Sequence, residues 1–85
     1  MHEPMLHIAS AVVMARPPSQ QHVADRIASF VGTDVVAVER GRIVVVMEAA
    51  QQGQVAELLH RIAALEDVLS TTLVFEHSEA MGEPA

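Results

Sequence analysis

The segment "GRIVVVMEAA", residues 41–50, decides the fold, because Ile43 to Met47 places five large apolar residues in a row. A strand alternates its side chains between two faces, so this one is apolar on both. The chain has 85 residues, enough for one domain of about two helices beside a small sheet. Two helices cover one face, and the other is left for something else.

The segments on either side complete the pattern. Leu6 to Met14, "LHIASAVVM", reads as a strand stopped by Pro17 and Pro18. Ser19 is a candidate helix cap, and Val23, Ile27, Phe30 and Val31 recur at i, i+4, i+7 and i+8 as one helix face ending at Gly32. Thr33 to Glu39 reads as a second strand. Arg40 and Gly41 form a tight turn into the third strand, Arg42 to Glu48, making an antiparallel hairpin. A second helix is expected over Ala49 to Leu65, with Val55, Leu58, Leu59 and Ile62 on its apolar stripe. Glu57 and Arg61 stand four apart on it, in the order that favours an ion pair. Asp67 to Glu76 is the fourth strand. Residues 1–78 then form a single domain with a loose start, and residues 79–85 a flexible acidic tail.

The order β-α-β-β-α-β, with right-handed crossovers, interleaves two halves into a four-stranded antiparallel sheet of spatial order 4-1-3-2. This is an α+β, ferredoxin-like fold with both helices on one face. Strands one and three are central, so "IVVVM" lies mid-sheet.

Alternation sorts the side chains. In the first strand the small residues Ala9 and Ala11, with Val13, suit the helix side, leaving Ile8, Ser10, Val12 and Met14 on the open face. In the fourth, Leu69, Thr71, Leu73 and Phe75 carry the larger apolar groups and are assigned to the core. Val68, Ser70, Thr72, Val74 and Glu76 are left outside. The third strand contributes either Ile43, Val45 and Met47 or Arg42, Val44, Val46 and Glu48, since residue type does not separate them. The candidate surface is taken as Ile8, Ser10, Val12, Met14, Val45, Met47, Ser70, Thr72 and Val74. Covering a few hundred Å² of such surface, at about 25 cal/mol per Å², is worth several kcal/mol, and patches of that size mark interaction sites.

Charge and chemistry narrow the partner. Net charge is −6, from eleven acids against five arginines and no lysine, which opposes nucleic-acid binding and favours a cationic partner. No cysteine is present, so disulfides and thiolate sites are excluded. His2, His7, His22, His60 and His77 show no i, i+4 pair, the glycines no phosphate-cradling cluster, and the serines no nucleophile-elbow context. Neither an enzyme, a metal site nor a bound cofactor is expected. No apolar run approaches a membrane span, and Arg16 follows the run Ile8 to Ala15, the reverse of a secretory signal. The expected location is the cytoplasm.

The segments "HIASAVVMARP", "RGRIVVVMEA" and "LHRIAALEDVLSTTLVFEH", in this order and followed by a short acidic tail, resemble the NapD family over residues 6–78. Ala9-Ser10 stands where such families often carry Ser-Ser. The resemblance implies a cytoplasmic assembly chaperone of the periplasmic nitrate reductase. Such a protein binds the twin-arginine signal peptide of the catalytic subunit. It delays export until molybdenum cofactor and iron–sulfur cluster are inserted, and holds neither itself. On this view the signal peptide lies as a helix on the open sheet, and Glu48, Glu76 and Glu79 are candidate partners for its arginines. The protein would act as a monomer or weak dimer. The alternative is a small ligand-sensing or regulatory domain of the same fold, acting as a sheet-to-sheet dimer.

Overall fold

A computed structural model describes residues 5–80. Strand β1 (Met5–Ala15) leads through a 3-10 turn at Pro17–Ser19 into helix α1 (Gln20–Ala28). Strands β2 (Thr33–Glu39) and β3 (Arg42–Ala49) follow, then α2 (Gln52–Ala63) and β4 (Val68–Ala80). The sheet is antiparallel with order β2-β3-β1-β4, the ferredoxin-like arrangement, with β3 and β1 central.

Pairing of β1 with β3 aligns Ala9 with Met47, Ala11 with Val45 and Val13 with Ile43. All six are buried, and they meet Val23, Ala24 and Ile27 of α1 and Val55, Leu58 and Ile62 of α2. The alanines of β1 let the helices come close, while Ile43, Val45 and Met47 supply the volume. The other set of β3, Val44 and Val46, faces away and is only partly buried.

Three boundaries differ from expectation for local reasons. Helix α1 stops at Ala28, and the Thr33 hydroxyl donates to the carbonyls of Ile27 and Phe30 at 2.7 Å, satisfying the helix end. Val31 therefore leaves the helical stripe and is 93% exposed. Helix α2 begins later than expected. Gln51 and Gln54 cap it reciprocally, each side chain bonding the other's backbone N–H. Strand β4 runs on to Ala80, pairing with Met5 to Ile8 through residues expected to fray; residues 1–4 and 81–85 of the expected loose start and tail lie outside the described residues. Ser19 occupies the N-cap position of α1 without a side-chain capping bond. Among the described residues Glu57 and Arg61 form no ion pair, and the Arg61 guanidinium lies 4.5 Å from the centroid of the Phe30 ring.

The β2–β3 turn uses Arg40 at φ 55° and Gly41 at φ 79°, both left-handed, as the two-residue hairpin turn compatible with strand twist requires. Gly41 is buried; its carbonyl accepts from the Ala15 N–H, and its own N–H donates to the Gln20 side chain. A Cβ at Gly41 would lie 2.7 Å from the Ala15 carbonyl oxygen. Gly41→Ala is expected to cost about 1–3 kcal/mol and lower the melting temperature by roughly 5–15 °C. Gly53→Ala, with open space around the new methyl, should be neutral or slightly stabilising. Thermal melts followed by circular dichroism check both, and equal melting temperatures for the two variants would refute the turn argument.

Candidate functional site

The helix-free face is a lattice of cross-strand rows set by register. The outermost row holds Leu6 and Glu79. Next come Glu48, Ile8 and His77, then Asp34, Val46, Ser10 and Phe75. The fourth row is Ala37, Val44, Val12 and Thr72, and the last is Glu39, Arg42, Met14 and Ser70. Successive rows are two residues apart, about 6.8 Å. Leu6, Ile8, Val46, Phe75, Val44, Val12 and Met14 thus make an apolar band along the middle of the face, flanked by hydroxyls and charges.

Of the residues expected here, Ile8, Ser10, Val12, Met14, Ser70 and Thr72 stand in these rows. Val45 and Met47 do not. Both pair with alanines of β1 on the helix side and are fully buried. The assignment is corrected to Val44 and Val46.

Strand β4 carries two irregularities that residue alternation does not reveal. Ala11 pairs with Leu73, but Ser10 pairs with Phe75, so Val74 is an extra residue. Met14 pairs with Ser70, but Ala15 pairs with Val68, so Leu69 is another. Each bulge reverses the alternation beyond it. Val68 consequently turns inward to pack against the core, and Leu69 is 58% exposed. Phe75, expected in the core, joins the open face at 55% exposure, with His77 stacked beside it at 6.2 Å between ring centroids. Val74 projects from the bulge and is 57% exposed.

The same reversal sorts the acids. Glu48 and Glu79 lie on the open face. Glu76 pairs with Ala9 and so lies on the helix side, where the Gln52 amide donates to its carboxylate at 3.5 Å. It cannot reach a guest on the opposite face and is withdrawn as an arginine partner. Asp34, which sequence patterning passed over, stands in the open row beside Val46. The Glu79 carboxylate is 3.5 Å from His77 Nε2, and among the described residues Glu48 has no ionic partner.

At the other end, Met14, Glu39, Arg40 and Arg42 line a shallow hollow of about 210 Å³. Arg40 contacts Glu39 at 4.0 Å, and Arg42 forms no ion pair among the described residues. Among those residues no three His, Asp or Glu side chains converge as a metal site would need. Among the described residues no helix is long and apolar enough to cross a membrane. The arrangement can bind an elongated amphipathic guest by burying its apolar side, with charge contacts at the margins.

Comparison with known proteins agrees with this architecture. The family model described as NapD protein matches residues 6–80. Chaperone NapD of Paracoccus pantotrophus is 42% identical over 71 residues, covering 84% of this chain and 63% of that protein's length. The chain therefore spans less than two thirds of that relative. The solution structure of the E. coli Tat proofreading chaperone protein NapD aligns with a TM-score of 0.80 at 25% identity, covering all of this chain and 90% of that one. With a family match running from the first strand to the end of the last, this chain belongs to the NapD family.

Proposed function

We propose that this protein is a cytoplasmic chaperone that binds the twin-arginine signal peptide of the periplasmic nitrate reductase catalytic subunit and delays its export until cofactor insertion is complete. The observation that carries this is the bare, apolar-centred sheet face with acids at one end and both helices on the far side. Its relatives are named as chaperones, and one as a Tat proofreading chaperone.

A signal peptide of this class carries two arginines followed by an apolar stretch. Folded as a helix, its apolar side covers the Val12–Val44–Val46 band. Burial there supplies most of the affinity, and Met14 adapts to an imperfect fit. Glu48, Glu79 and Asp34 attract the arginines, mainly accelerating and orienting encounter. While covered in this way, the peptide is withheld from the export machinery.

Calorimetric titration with a synthetic twin-arginine signal peptide of a nitrate reductase catalytic subunit tests this. Saturable binding to one site per chain is expected, with affinity falling when the apolar stretch is replaced by serines. Absence of binding by the intact peptide overturns the proposal.

A further inference from the structure

Resting on the function proposed above, we infer that the guest helix has a fixed direction on the sheet. Its arginine-bearing N-terminal end lies over Glu48 and Glu79, and its C-terminal end over Arg42 and Arg40, so that it runs parallel to β1.

The face is electrically polarised along the strands. Acids gather at one end: Glu79 beside Leu6, Glu48 beside Ile8 and Asp34 one row further on. His77 is the cationic candidate among them, and it already contacts Glu79. Arginines gather at the other end, where Arg42 pairs with Met14 and Arg40 occupies the adjoining turn. Glu39 sits there too, but its contact is with Arg40, leaving Arg42 without a counter-ion among the described residues. Between the ends lies the row of Val44 and Val12, with no charged side chain.

A helical guest is polarised as well. Its N-terminus carries the arginine pair. Its C-terminus carries unpaired carbonyls equivalent to about half a negative charge, which cations stabilise. Matching the two polarities permits one direction. The reverse would set the guest's arginines against Arg42 and Arg40, and its carbonyl end against Glu48.

The lengths agree. Three row spacings separate Glu48 from Arg42, about 20 Å. A helix of about 13–14 residues spans that distance. The guest segment is thus an apolar helix of that length following the arginines, and an acidic side chain at its far end would strengthen the contact with Arg42.

Two measurements test the direction. In the first, nitroxide labels are placed before the arginines or after the apolar stretch of the synthetic twin-arginine peptide, and amide signals of the isotope-labelled protein are followed. The N-terminal label should broaden Ile8, Glu48 and His77, and the C-terminal label Met14 and Arg42. The reversed pattern, or equal broadening by both labels, overturns the direction while leaving signal-peptide binding intact. In the second, Arg42→Glu should raise Kd about 3- to 10-fold at low salt, with the effect shrinking as salt screens it. A lowered Kd would mean that the arginines lie at that end, contradicting the inference. A peptide that binds neither protein overturns the proposed function and the direction together.

Discussion

Val12→Asp is expected to abolish binding of the twin-arginine peptide while leaving the domain folded. Val12 sits in a central strand between Val44 and Thr72, on the face the helices leave bare. A valine covered by a guest contributes up to roughly 1.5–3 kcal/mol. Aspartate forfeits that and must also shed its hydration beneath the apolar side of the helix. The combined effect should weaken binding by at least about 100-fold, which corresponds to about 2.7 kcal/mol. Because the side chain points away from the core, the variant should lose only about 0.5–1.5 kcal/mol of stability, much of it through the lower strand preference of aspartate. Calorimetric titration paired with a circular-dichroism melt reads both quantities. A folded Val12→Asp protein that binds as tightly as its parent would remove this face from the binding reaction.

Met47→Ala should do the reverse, although Met47 is part of the same apolar run. Its side chain is fully buried beside Ala9, beneath the helices. Truncating a buried methionine costs about 2–5 kcal/mol, because the cavity collapses only partly. At roughly 4–8 °C per kcal/mol for a domain of this size, the melting temperature should fall by at least about 8 °C. Peptide affinity, measured on the cold side of that transition, should remain within about two-fold of the parent. If Met47→Ala instead melted normally and bound poorly, the two faces of β3 would have to be exchanged.

These two substitutions bear on what was legible beforehand. The element order could be read because its signals are independent: apolar spacing of four in the helices, a tight Arg-Gly turn, prolines after the first strand. The inward side of β1 was also legible, since Ala9 and Ala11 differ in size from Ile8 and Val12, and small residues suit close helix packing. Strand β3 offered no such contrast. From Ile43 to Met47 both alternate sets are large and apolar, so only pairing with the alanines of β1 decides which is inside.

Strand β4 misled for a different reason. Strict alternation assumes an unbroken ladder, and the irregularities at Leu69 and Val74 break it twice. A bulge of this kind is set by how the partner strand fits, and no residue type at Leu73-Val74-Phe75 announces it. Strict alternation therefore puts Phe75, one of the chain's two phenylalanines, inside and Glu76 outside, the opposite of what the ladder does. Val31 failed through a capping effect: Thr33 closes α1 before the apolar period reaches it.

The extra residue at Val74, like the one at Leu69, also makes its position in β4 indifferent to length. Removing it would let Leu73 and Phe75 follow each other as Ala11 and Ser10 do, giving an ordinary ladder with every other side chain still on its present side. Removing Thr72 instead would invert part of the strand. Shortening by one residue is thus tolerable at Val74, between the charged tip and the hydroxyl-bearing half. The outer wall of the binding surface could be re-spaced there without being turned over.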